Sequence, residues 1–290
     1  MIAVRIRDCF VSLSVSCVLR RFKMRALILI AVITFVQMTS STKTEPVNCK
    51  LYPEHIYKDK EYLKIKTCKV ANQKIDNAEF FIKYEDMEVV DRFYIENEPE
   101  VEVLIEHISE TFPKLMEYHV TFCAVKIISG SHFKGLRRLD YLKLGNNQIE
   151  TIAGNAFKDL INLRRLELNN NQIISVETGL FRSLTNLQII WLNDNKIDYL
   201  DEKTFEKLSE LTELELSSNS LTTLPANLFK NNFRLGEIGL GYNKIKSIDS
   251  KMFDHLTDVW WVRLNDNVCL NKLYLFEKSA LKSDLVQHCA

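Results

Sequence analysis

The 290-residue chain has no excess of either charge: lysine plus arginine and aspartate plus glutamate each number 38. No basic field is available to hold a polyanion, so nucleic acid is not an expected partner. Catalytic signatures are missing too. GxSxG, HExxH, a glycine-rich phosphate loop and CxxC are all absent, which removes the enzyme classes built on those arrangements. The six histidines are scattered rather than grouped, and the acidic side chains between 76 and 110 are spread along the chain, as on a solvated face, rather than converging at the loop spacing of a calcium site. The sequence therefore implies no enzyme, no cofactor and no metal. The acceptor Asn-x-Ser/Thr is also absent.

No apolar run reaches the roughly 20 residues needed to cross a bilayer. The longest, at 26–36, follows six basic side chains and one acid and precedes Thr39, Ser40, Ser41 and Thr42. A basic start, a short apolar core and a small-residue exit describe a secretory signal peptide. Met24 is the expected start of that signal, with cleavage near Ser41. Without residues 1–41 the chain carries 32 basic and 37 acidic side chains. A secreted, extracellular product with no transmembrane segment is the expectation.

What the chain does contain is a period. Leu139, Leu163, Leu187, Leu211, Leu235 and Val259 lie 24 residues apart, and a fixed period of this size announces a solenoid. Other columns hold the register. Position four reads Leu142, Leu166, Ile190, Leu214, Ile238 and Val262, and position six reads Leu144, Leu168, Leu192, Leu216, Leu240 and Leu264. Position nine is Asn147, Asn171, Asn195, Asn219, Asn243 and Asn267, and phenylalanine recurs at 133, 157, 181, 205, 229 and 253.

The pattern LxxLxLxxNxI resembles the leucine-rich repeat family in its 24-residue form, as in Toll-type and Slit-type extracellular proteins, over about 115–270. The resemblance implies an α/β solenoid, a curved horseshoe with a parallel sheet on its concave face and loops or short helical turns on its convex face. Alternation sends positions four and six inward and positions three, five and seven outward. No unit buries its apolar face alone, so its neighbours must. Where the coil turns away from the sheet, a carboxamide at position nine can donate to one orphaned backbone group and accept from another. Asn171 is expected to do this, while Asn169 and Asn170 are expected to be replaceable.

Two departures stand out. Asn232 occupies a column of leucines (Leu160, Leu184, Leu208, Leu256), which predicts an altered convex loop, and Cys123 stands in the asparagine column. Val90, Phe93 and Ile95 match one further unit. The expected organisation is a leader at 1–41, a divergent amino-terminal cap at 42–88, repeats at 89–268 that are regular from 115, and a carboxyl-terminal cap at 269–290. Open solenoid ends expose apolar edges, which secreted proteins can close with disulfide-stapled caps. Cys49 is therefore expected to pair with Cys68, and Cys269 with Cys289. The last segment resembles the compact caps of small secreted leucine-rich repeat proteins of insects.

The concave row is not dictated by the fold. Its candidate ligand-binding residues are Tyr141, Lys143, Arg165, Glu167, Ile189, Trp191, Glu213, Glu215, Trp261 and Arg263. Trp191 beside Ile189 has no packing duty in an isolated strand, and the charges of Arg165, Glu167, Glu213 and Glu215 would form a polar rim around it. Packing beneath the carboxyl-terminal cap is the favoured role for Trp261. The expected function is recognition of an extracellular protein ligand or co-receptor through the curved sheet. The Toll-type resemblance implies innate immunity or cell-surface signalling as the setting. The alternative is a matrix or adhesion component that self-associates.

Overall fold

The computed structural model describes residues 50–58, 61–70, 90–275 and 277–289. The expected leader and Cys49, and with it the Cys49–Cys68 bond, lie outside the described residues. The elements follow in the order β1 (Lys50–Lys58), β2 (Glu61–Val70), β3 (Arg92–Glu96), α1 (Ile108–Thr111), β4 (Glu117–Thr121), β5 (Ile127–Ile128), β6 (Tyr141–Lys143), β7 (Thr151–Ile152) and β8 (Arg165–Glu167). Then come β9 (Ile189–Trp191), β10 (Glu213–Glu215), β11 (Glu237–Gly239), β12 (Trp261–Arg263), β13 (Leu273–Leu275) and α2 (Lys278–His288).

These strands form a leucine-rich repeat solenoid. One sheet runs β1-β2-β3-β4-β6-β8-β9-β10-β11-β12-β13, parallel throughout except for the β1–β2 hairpin and the closing β12–β13 pair. From β4 to β12 every strand pairs in the same register, so position-three residues Glu117, Tyr141, Arg165, Ile189, Glu213, Glu237 and Trp261 form a continuous row. The inward columns at positions four and six are buried in every one of the six units.

Each unit turns the same corner. Phe122, Asn146, Asn170, Asp194, Ser218, Tyr242 and Asp266, all at position eight, have positive φ between 53° and 58°. Left-handed backbone costs most L-residues roughly 1–2 kcal/mol, and asparagine and aspartate tolerate it best. Asn170 therefore has a conformational role, contrary to the expectation that it is replaceable.

Beyond the corner, position nine holds the coil together. The Asn195 Nδ2 donates to Leu168 O of the preceding turn and Leu192 O of its own, both at 3.0 Å, while its Oδ1 accepts the Ile173 N–H at 3.0 Å. Asn171, Asn219, Asn243 and Asn267 repeat the set. Leaving one such buried group unpaired costs about 1–3 kcal/mol. The seam is incomplete at its start: Asn147 donates to Val120 O and Leu144 O, but its Oδ1 lacks a partner. One turn earlier, the Cys123 thiol reaches Thr121 O at 3.4 Å, and burial raises its pKa to about 11.

On the opposite side of the core, phenylalanines stack with centroids 5.9 Å apart for Phe133–Phe157, 6.3 Å for Phe157–Phe181 and 6.1 Å for Phe181–Phe205. Among the described residues no ring pair links Phe205 to Phe229, and the stack resumes with Phe229–Phe253. At that step Asn232 is fully buried, and its Nδ2 donates to Phe205 O and Leu208 O. The substitution of a column leucine thus adds a polar staple between two convex loops.

The carboxyl-terminal end is closed by β13 and α2. Leu281 and Leu285 are buried, Cys269 bonds to Cys289, and the Ile248 N–H donates to Cys289 O. Lys278 donates to Asp254 O and Leu256 O, which ties the helix to the last full turn. Closing a loop of this length by a disulfide contributes about 3 kcal/mol through the unfolded state.

Candidate functional site

The concave sheet presents positions three and five of successive strands side by side, and its amino-terminal half is densely paired. The Arg92 Nε lies 3.0 Å from Glu117 Oε1, and the Tyr94 hydroxyl donates to Glu117 Oε2 at 2.6 Å. The Tyr94 and His119 rings are parallel with centroids 4.3 Å apart, and Tyr141 meets His119 edge-on at 4.5 Å. Burial, with Lys143, Arg92 and Arg165 nearby, lowers the His119 pKa to about 3. The imidazole is therefore neutral at pH 7, and its 3.7 Å approach to Glu117 is not an ion pair.

Glu167 is the centre of the next cluster. It accepts from the Tyr141 hydroxyl at 2.5 Å and from Arg165 Nε at 2.6 Å, with Lys143 at 3.9 Å. These partners close over it and leave it 2% exposed. The expectation of Glu167 on a solvated rim is thus corrected: it is an internal acceptor, with the Tyr141 and Arg165 bonds both on Oε1. Burial and then the Glu167 hydrogen bond push the Tyr141 pKa upward.

Arg165 also stacks over the Trp191 ring, its Cζ 4.3 Å from the centroid, and the indole Nε1 donates to Glu213 Oε1 at 2.5 Å. Trp191 and Ile189 are half-buried. Trp191 therefore does have packing duties, since one face is capped by guanidinium and its edge is anchored by a carboxylate. Trp261 is likewise half-buried and lies under Arg263, 4.7 Å from Cζ to centroid. It is the adjacent Trp260, rather than Trp261, that lines the crevice beside the cap together with Tyr274, Lys278 and Leu281. The row then continues onto β13, where Leu275 pairs with Trp261 and Leu273 with Arg263, both leucines exposed.

Between the two tryptophans the chemistry changes. Glu213 and Glu215 on β10 and Glu237 on β11 share this surface, and among the described residues none of the three has an ion-pair partner. Burial and then the neighbouring Glu213 and Glu215 raise the Glu237 pKa. The Glu215 carboxylate folds over Gly239 and accepts the Ser217 N–H at 3.0 Å. Among the described residues no group of three or more His, Cys, Asp or Glu is arranged to hold a metal ion, and no helix is long and apolar enough to cross a membrane.

Sequence reasoning thus reached the row but not its pairing. Arg92, Tyr94, Glu117 and His119 belong to the amino-terminal network. The signal for them was the same alternation, one unit earlier, where Val90, Phe93 and Ile95 already set the register.

Comparison with known proteins follows the geometry. The BspA type leucine rich repeat region family matches over residues 126–260 and 222–285, together more than half of the chain, with six copies. No curated protein matches the chain. Among solved structures, TLR13 in a TLR13–ssRNA13 complex superposes with a TM-score of 0.57 at 23% identity, covering 62% of this chain and 26% of that one. The Toll–Spatzle complex of Drosophila gives 0.49 at 20% identity, covering 63% and 30%. The chain thus spans between a quarter and a third of the length of those neighbours, and the likeness is one of fold.

Proposed function

Because the chain belongs to the BspA-type leucine-rich repeat family, we propose that it is a non-enzymatic recognition module. In this reading it is secreted, and its concave sheet around Trp191 and Ile189 binds an extracellular protein ligand or co-receptor. The observation that carries the reading is the half-exposed Trp191, held rigid by Arg165 and Glu213 at the centre of a register-matched row. A preorganised aromatic ringed by polar groups is the arrangement of an interface hot spot.

A protein suits this face better than a nucleic acid. Arg92, Lys143 and Arg165 are committed to carboxylates, and the acids of β10 and β11 would repel phosphate. Innate immunity or cell-surface signalling is the setting this reading favours.

Proximity labelling on intact cells with the purified protein, compared with an Ile189→Ala/Trp191→Ala variant, tests the proposal. A partner whose labelling disappears in the variant is the expected result. Unchanged labelling would remove the concave face from consideration.

A second reading, self-association as a matrix component, is favoured by one observation: terminal strand β13 exposes Leu273 and Leu275. Light scattering across a concentration series separates the two, because self-association raises the mass and a Leu273→Asp/Leu275→Asp variant would abolish that rise.

A further inference from the structure

Resting on the concave-face reading, we infer that the trough formed by β10 and β11 takes a cationic, extended peptide segment of the partner, with lysine or arginine at alternate positions. Glu215 pairs in register with Trp191, and Glu237 with Trp261. The three carboxylates therefore lie between two indoles, each already stacked with an arginine of this chain. Arg165 lies on the β8 side and the Arg263 stem lies against Gly241, yet among the described residues neither forms an ion pair with the three carboxylates, so the surface between the indoles is left negative. Of the acids on this face, those in the trough have no cationic partner among the described residues, whereas Glu117 and Glu167 do.

Geometry narrows the occupant. Glu213 and Glu215 face the same way two residues apart on one strand, a spacing of roughly 6.6 Å, which same-face side chains of an extended peptide reproduce. Gly239, opposite Glu215 in the register, contributes no side chain, and the Glu215 carboxylate fills the space it leaves, which keeps that carboxylate over the centre of the surface. A second, independent feature points to a hydrogen-bond donor. Ser217 follows Glu213 and Glu215 in the outward alternation, is 4% exposed, and its Oγ has no hydrogen-bond partner among the described residues. The Glu215 carboxylate already accepts the Ser217 N–H, so an ammonium or guanidinium paired with Glu215 would sit next to this residue. A metal ion is the poorer occupant, because the three carboxylates do not converge on one point.

The test uses the folded chain and a fluorescein-labelled peptide alternating lysine and serine, with an alternating glutamate–serine peptide as its counterpart. Anisotropy titrations compare wild type, Glu213→Gln/Glu215→Gln/Glu237→Gln, and a control in which three exposed convex-side acids change, Glu150→Gln/Glu177→Gln/Glu202→Gln. Wild type and control are expected to bind the lysine peptide equally and the glutamate peptide not at all. The trough variant is expected to lose affinity by roughly tenfold or more, as three partly exposed ion pairs contribute a factor of about two to five each. Ser217→Ala should lose about threefold.

Equal binding by the trough variant, or equal loss in the control, overturns the inference. If a labelled partner still depends on Ile189 and Trp191 while the trough variant captures it normally, the cationic segment is wrong and the concave face stands. If capture depends on neither the Ile189 and Trp191 changes nor the three trough changes, both readings fall together.

Discussion

The two halves of the concave face have the same backbone and opposite electrostatics. In the amino-terminal half, Glu117 and Glu167 are enclosed by Arg92, Arg165, Lys143 and two tyrosine hydroxyls. In the carboxyl-terminal half, Glu213, Glu215 and Glu237 share the surface with no ion-pair partner among the described residues. One half has spent its charges on itself and the other has kept them. The scaffold imposes neither outcome, because positions three and five point away from the core and only side-chain identity decides.

That contrast can be broken at the element common to both halves. Asn195 sits between them, and Asn195→Ala would leave the Ile173 N–H unpaired and remove one of the two carboxamide donors to Leu168 O and to Leu192 O, which keep Asn171 and Asn219. A loss of about 2–5 kcal/mol is expected, read as a lower denaturant midpoint by circular dichroism with both halves unfolding together. Retention of the wild-type midpoint would mean the seam is decorative.

The next effect belongs to the amino-terminal half. His119 has a folded pKa lowered from 6.5 to about 3, so the unfolded chain takes up a proton first. Stability from this group is full above pH 6.5 and falls as the pH drops toward 3, at no more than about 1.4 kcal/mol per pH unit. A His119→Phe variant should show a flatter stability profile in that window.

Glu167→Gln should then cost about 1–3 kcal/mol, since it leaves Arg165 and Tyr141 with a weaker acceptor; Arg165 is a third exposed, which keeps the loss below that of a fully buried pair. Glu237→Gln should change stability in the other direction, with a gain of a few tenths of a kcal/mol at pH 7 from relieved repulsion. Its raised pKa means the ionised carboxylate is the costly form. The gain should therefore fade as the pH falls through the folded pKa and vanish below about 4.5, where wild type is protonated in both states. Equal signs for the two substitutions would erase the distinction between the halves.

Much of the fold was legible because few residue types fit a buried, repeating position. Leucine at positions four and six and asparagine at nine are each required by a local vacancy, and 24-residue spacing follows from stacking. The left-handed corner was harder to read. Position eight holds Phe122, Ser218 and Tyr242 as well as asparagine and aspartate, so no column of one residue type marks it. The concave network was less legible still. That Glu167 is buried while Glu215 is half-exposed depends on the neighbours one strand away, Tyr141 and Lys143 against Gly239, and pairings across about 24 residues leave no mark on local pattern. Asn232 is the intermediate case: its column flagged a departure, but only the positions of Phe205 O and Leu208 O explain it.

The carboxamide seam also dictates how this coil can be edited. Every link from Asn171 onward joins one turn to its predecessor at a fixed interval, so a deletion of one whole turn, residues 165–188 for example, would bring Asn195 to carbonyls equivalent to those it left. A cut of any other length would strand them. Shortened or lengthened versions of the molecule should therefore be soluble only in whole-turn steps, with α2 and β13 retained as the terminus.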